Sequence, residues 1–409
     1  MPADTGPLAP TPHALADRPG RVILIAATVL LISMGVRATS GLFMSPMLAA
    51  HDWSRQLFST AFAVQNLAWG FGAIAMGMLA DRHGASRAIA LSALLYAAGM
   101  AGTRFSDTPA ELMLWSGLVV GLGQGGTTAA LLMPVVARVS SAAGRGAALG
   151  MANAGGSLGQ FAVVPATHVL IGSLDWSGAL LVLSVLVGMI APLALAMRAG
   201  PPAQAREAGA LGVAVRRALA HAAFRRLGAS YFVCGFQLAF VTLHLPAYVV
   251  DHGLTARDGA LAIALIGLFN VLGSLLVGPL GARMGNTRLL GWVYALRAVF
   301  IAQILLLPLT PLTLAVFSAG MGLLWLSTVP LTMGLVGQIF GLRFAATLGG
   351  IVFLSHQLGS AAGVWLAGAA FEATGSYDTM WIASIALAIG AALLAWRVDG
   401  RPLEARAAA

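Results

Sequence analysis

Residues 77–87 read GMLADRHGASR, with Gly77, Asp81, Arg82, Gly84 and Arg87 at fixed intervals and long apolar runs on both sides. Only 9% of the chain is charged, so the cluster stands out. Charge is costly inside hydrocarbon and tolerated at its edge, which makes this stretch a loop between two apolar segments. The pattern returns 201 residues later: 278–288 read GPLGARMGNTR, with Gly278, Arg283, Gly285 and Arg288 under Gly77, Arg82, Gly84 and Arg87. A second pair, RGAALGMANAGGSLG from Arg145 and RFAATLGGIVFLSHQLG from Arg343, repeats at an offset of 198. Two offsets near half the chain length imply a duplicated protein, and parallel repeats of six helices are a transporter architecture.

The composition agrees. The 409 residues are 59% hydrophobic, with mean hydropathy +0.87. Soluble domains are nearer half apolar and about a quarter charged. A bilayer core needs about 20 apolar residues per helix. By that rule the chain holds twelve spans, near 21–44, 55–78, 88–104, 110–136, 146–171, 178–197, 227–250, 258–281, 289–307, 312–339, 345–370 and 378–396. The expected fold is an all-α membrane protein of two six-helix bundles. Its parts are an N-terminal tail (1–20), a first bundle (21–197), a basic linker (198–226), a second bundle (227–396) and a C-terminal tail (397–409). Residues 1–20 lack the apolar core of a cleavable signal, and the linker carries an expected interfacial helix near 210–221.

Charge placement gives orientation and excludes other functions. All 23 basic residues are arginine. With the N-terminus inside, 18 fall in inner loops and tails, three (Arg55, Arg104, Arg257) in outer loops, and two (Arg37, Arg297) within spans. This asymmetry places both termini in the cytoplasm. The arginines are spread between apolar segments, so the net charge of +9 does not signal nucleic-acid binding. There is no HExxH, no CxxC and no Walker loop, so neither an enzyme nor a primary pump is expected. No cofactor or metal is expected, and the single cysteine, Cys234, can form no internal disulfide.

GMLADRHGASR resembles the Gly-x-x-x-Asp-Arg-x-Gly-x-x-Arg signature of the major facilitator superfamily, in the loop where that family carries it. The resemblance implies a fold of two pseudo-symmetric bundles that rock about a central site. It makes Gly77, Asp81, Arg82, Gly84 and Arg87 a conformational latch, with Asp81 facing the positive N-terminus of span 11. GVRATSGLFMSPM (35–47), HDWSRQLFS (51–59), GLGQGG (121–126), GMANAGGSLGQ (150–160), FLSHQLGSAAG (353–363) and TGSY (374–377) are similar to the monocarboxylate transporter and oxalate/formate antiporter branch. That branch moves small organic anions, often with a proton. It often has an arginine in span 8 and an acid one turn earlier; here those positions are Ser274 and Asn270. It also carries a cation at the position of Arg37, six residues before Phe43.

Polar residues inside spans are candidates for substrate binding or coupling: Arg37, Asn66, Gln124, Asn153, His244, Asn270, His356 and Gln357. Each has a bland alternative, as interhelical glue or a satisfied core histidine. For Arg297, in a span that the resemblance makes peripheral, ties to protein carbonyls or lipid headgroups are the favoured expectation. Tyr231, Tyr248, Trp69 and Trp325 are candidates for shaping a cavity. No Asp or Glu lies in the middle of a span. The expected function is secondary transport of a monocarboxylate-like anion across a bacterial inner membrane by a monomer, with protons as a coupling partner. The rivals are an exporter of amphipathic compounds and a non-transporting membrane receptor.

Overall fold

The computed structural model describes residues 19–141, 144–197, 208–341 and 345–403. Among these, eleven helices are long and apolar enough to cross a membrane. One of them, Ala147–Ala196, has 50 residues. At 1.5 Å per residue that is roughly twice a bilayer core. Asp175 breaks it, with φ 58° and ψ 178°, and its Oδ1 accepts the Ser177 and Gly178 amides at 2.6 and 2.9 Å. A carboxylate capping two free amides starts a new helix. The described residues therefore hold twelve spans.

Span 1 is Pro19–His51, span 2 Arg55–His83, span 3 Ala85–Arg104 and span 4 Pro109–Val139. Spans 5 and 6 are 147–174 and 176–196. Span 7 is Ala222–Asp251, span 8 Ala256–Met284, span 9 Asn286–Leu306, span 10 Pro311–Phe340, span 11 Thr347–Thr374 and span 12 Asp378–Trp396. Linker residues 198–207 lie outside the described residues, and a helix follows at Ala208–Ala220. Span 1 is longer than its apolar run because it bends without ending. Thr39 and Ser40 hydroxyls bond back to the Val36 and Arg37 carbonyls at 2.7 and 2.6 Å. The chain tightens there into a 3₁₀ turn, Ser40–Phe43, before helix resumes.

The duplication is visible in backbone detail. Gly84 ends span 2 at φ 93°, ψ 146°, and Gly285 ends span 8 at φ 85°, ψ 136°. Each lets the next span start at once in a conformation that L side chains rarely adopt. Spans 4 and 10 open alike, with Thr108 and Thr310 in capping boxes before a proline. Span 5 packs along span 1 as span 11 packs along span 7. In both pairs glycine lets backbones meet: Gly159 against the Leu31 carbonyl, Gly359 against the Phe232 carbonyl. Buried apolar side chains form two cores, one mainly from spans 1–6, the other mainly from spans 7–12. Between the halves, span 2 lies against span 11 and span 5 against span 8.

Candidate functional site

The two ends of the interface between halves differ. At the end carrying Arg55 the halves are joined. The Arg55 guanidinium donates two parallel hydrogen bonds to Asp251 at the end of span 7, at 2.6 and 2.8 Å. It lies 3.8 Å over the Phe371 ring and donates to the Tyr377 hydroxyl at 3.1 Å. His244 sits buried beneath, with Nδ1 2.9 Å from that hydroxyl and Nε2 3.4 Å from Ser59 Oγ. A Cβ on Gly41 would stand 2.6 Å from the Thr242 and Leu243 carbonyl oxygens, so spans 1 and 7 also touch here.

The other end has no such clamp among the described residues. No atom of another segment comes within 4 Å of where a Cβ on Gly77, Gly150, Gly278 or Gly350 would lie. These glycines belong to spans 2, 5, 8 and 11, the four that face each other across the interface. Asp81, Arg82 and Arg87 are exposed, and Asp81 has no hydrogen bond or ion pair among the described residues. The expected partner of Asp81 is the N-terminus of span 11; the residues just before it, 342–344, lie outside the described residues. Gly84 shapes the turn; Gly77, expected to allow close approach, faces open space in this arrangement.

Between the ends, four of the eight polar candidates converge. Arg37 is half-buried on the turn where span 1 bends, and its guanidinium lies 4.3 Å over the Trp69 ring. Its one hydrogen bond among the described residues is a long 3.4 Å contact to Asn66 Oδ1. Gln357 of span 11 donates to the Asn66 carbonyl at 3.2 Å, crossing the interface, and its Oε1 is 3.0 Å from His356 Nδ1. Around them stand Tyr231, with its ring centroid 4.8 Å from His356, and Phe353, edge-on to Trp69 at 5.6 Å. Spans 1, 2, 7 and 11 thus supply one cation, two amides, an imidazole and three aromatic rings.

The other candidates go elsewhere. His244 belongs to the closed end. Asn270 is buried and fully used: it donates to Ser157 Oγ at 2.7 Å and accepts the Leu326 amide at 3.1 Å, tying span 8 to spans 5 and 10. Ser157 is the central serine of Gly155–Gly159, which matches Gly-x-Ser-x-Gly. It is buried on a helix between spans, not on an exposed turn above a sheet. Gln124 is buried within the first half beside a small cavity of about 40 Å³, next to Tyr96 and Gln65. Asn153 is half-buried and makes no hydrogen bond among the described residues. Arg297 is fully buried and donates to the Leu324 carbonyl at 2.7 Å, to the Trp325 carbonyl and to Gln237 Oε1 at 3.4 Å.

Arg55, Asp251 and Tyr377 were not singled out by sequence as a unit. Their signal was only that each sits at a span end, where charged and aromatic residues are ordinary. Among the described residues no group of three or more His, Cys, Asp or Glu side chains is placed to hold a metal.

The sequence profile of the Major Facilitator Superfamily matches residues 25–364. The chain belongs to that superfamily. Human monocarboxylate transporter 11 is 26% identical over 386 residues, spanning 89% of this chain and 79% of that protein. Bovine monocarboxylate transporter 13 is 24% identical over 380 residues, 91% of this chain and 86% of that protein. The MFS-type transporter YcxA of Bacillus subtilis is 23% identical over 370 residues, 87% and 89%. A crystal structure of the nucleoside transporter NupG, in mutant form, superposes with a TM-score of 0.77 at 13% identity. It covers 92% of this chain and 99% of that one, a likeness of fold. This facilitator is a multi-pass membrane transporter, and its relatives are transporters rather than enzymes.

Proposed function

We propose that this facilitator carries a small organic anion of the monocarboxylate kind, bound at Arg37 between the two halves. The observation that carries the reading is Arg37 itself. It is a half-buried cation whose only hydrogen bond among the described residues is one long contact to a neutral amide, with no described carboxylate paired to it. A planar guanidinium with donors to spare suits a carboxylate. The match to monocarboxylate transporters supports the same class. Asn66, His356 and Gln357 complete the site, His356 being a group that can also carry a proton.

The two bundles, 21–197 and 227–396, then rock about this site, joined by the linker 198–226. The Arg55–Asp251–Tyr377 contact is the gate at one end, and Asp81 with Arg82 and Arg87 forms the latch at the other. Arginine asymmetry favours an inner-membrane protein with both termini cytoplasmic, so the open end faces the cytoplasm. Ser274 and Asn270 stand where the branch often has an arginine and an acid, which leaves Arg37 as the one cation for substrate. A dicarboxylate would keep an unpaired charge in a low-dielectric site, at a cost of several kcal/mol.

The test is uptake of labelled organic acids into proteoliposomes, with unlabelled mono- and dicarboxylates as competitors. Monocarboxylates should compete and dicarboxylates should not, and Arg37→Gln should abolish the difference. Competition by neutral amphiphiles alone would replace this reading with the amphiphile exporter, which the apolar, aromatic surroundings of Arg37 also suit.

A further inference from the structure

The aromatic rings around Arg37 are more than a single anion contact requires. We infer that the preferred substrate is a monocarboxylate with a flat ring as its body and no amine, an inference that rests on Arg37 being the anion site. Three observations carry it.

First, the rings come from both halves. Trp69 is on span 2, Phe353 and His356 are on span 11, and Tyr231 is on span 7. Phe353 and His356 lie parallel, 7° apart with centroids at 5.9 Å, and Trp69 meets Phe353 edge-on. Phe353 is half-buried, so one part of this aromatic wall is open while Trp69, Tyr231 and His356 are buried. Offset and edge-to-face arrangements are how rings prefer to meet, so a flat substrate can extend the set.

Second, Trp69 has a free donor. Its indole Nε1 is buried and has no hydrogen-bond partner among the described residues. A buried N–H without a partner is costly and uncommon. The ring that bears it is the one under the Arg37 guanidinium. The indole N–H adds an unused donor beside the guanidinium, so a carboxylate at this site can draw on both.

Third, the site excludes an amine. None of the 14 acidic residues lies within the cluster; each stands at a span end, in a loop or in a tail. An aromatic cage alone can hold a cation, but here Arg37 already occupies the Trp69 face, and a second cation beside it would be repelled. Amino acids are thereby disfavoured against the matching acids.

The experiment is isothermal titration of the full-length protein in nanodiscs with benzoate, cyclohexanecarboxylate, phenylalanine and benzyl alcohol. Benzoate and cyclohexanecarboxylate share charge and carbon number and differ in flatness. Benzoate should bind about threefold to tenfold more tightly, with phenylalanine and benzyl alcohol far weaker. Phe353→Leu should bring the ratio of the two acids to about one, while Trp69→Phe should weaken both acids and keep the ratio. Equal binding of the two acids to the wild-type protein overturns the ring inference and leaves the anion reading standing. Binding of benzyl alcohol without either acid overturns the anion reading itself. Tight binding of phenylalanine overturns the exclusion of amines.

Discussion

Arg37 and Arg297 are the two arginines within spans, and the protein treats them in opposite ways. Arg297 is sealed in the second half, where the helix of span 10 stops after Leu324 and resumes at Thr328, leaving carbonyls at the break. Its guanidinium takes two of them, Leu324 and Trp325, and adds Gln237. Charge-assisted bonds to orphaned carbonyls are a structural use of an arginine. Arg37 lies at a bend in span 1 whose carbonyls are already held by Thr39 and Ser40 hydroxyls, so the backbone does not need it. It faces Trp69 and Asn66 at the meeting of the halves. An intramembrane arginine is free for function where the backbone around it is satisfied by something else.

Removing each charge is the strongest way to break this comparison. Arg297→Gln should leave two buried carbonyls unpaired at about 1–3 kcal/mol each, seen as a large drop in unfolding temperature and loss of monodisperse protein. Arg37→Gln should cost transport roughly a hundredfold, with its unfolding temperature close to wild type. Lysine should rescue neither fully, because an ammonium lacks the planar fork. If the two glutamine variants lose stability equally, the division of roles fails.

The two ends of the interface sharpen the same contrast between fixed and exchangeable contacts. The Arg55–Asp251 pair is bidentate but partly open, at 17% and 30% side-chain exposure. Such a pair is worth only about 1 kcal/mol, enough for a roughly fivefold shift between two arrangements. Asp251→Asn should therefore open this end, raising by about fivefold the rate at which an aqueous maleimide modifies a Ser59→Cys variant. Native Cys234 is buried and adds little background. An unchanged rate would remove the pair from the gate.

The smallest expected effect on the folded protein is at the other end. Asp81 is exposed and has no partner among the described residues, so Asp81→Asn should leave the unfolding temperature unchanged. If Asp81 is the proposed latch, pairing when that end closes, the variant should slow transport. Wild-type transport by a correctly inserted variant would end the latch reading.

Much of the fold was legible because it is written locally. An apolar run of about 20 residues is a span whatever surrounds it. Gly84 and Gly285 mark equivalent turns because the same strained backbone recurs after the same arginine. The Asp175 break was legible too, as a polar gap between two apolar runs, although the helices on either side nearly join. The length of span 1 was not, since its bend depends on two hydroxyls folding back on their own turn.

The candidate site divides differently. Sequence named eight polar residues within spans and had no means to sort them, because every one was costly to bury and needed a partner. The partners lie far away along the chain. Gln357 reaches Asn66 across 291 positions, His244 reaches Tyr377 across 133, and Asn270 reaches Ser157 across 113. Residue type and helical period specify that a side chain is polar and which way along its own helix it points. They do not specify the facing helix, which is set by how glycine-lined spans pack and how the two halves meet. That packing puts Asn270 among partners that use it up, His244 under the Arg55–Asp251–Tyr377 contact, and Arg37 beside an indole whose N–H has no partner among the described residues.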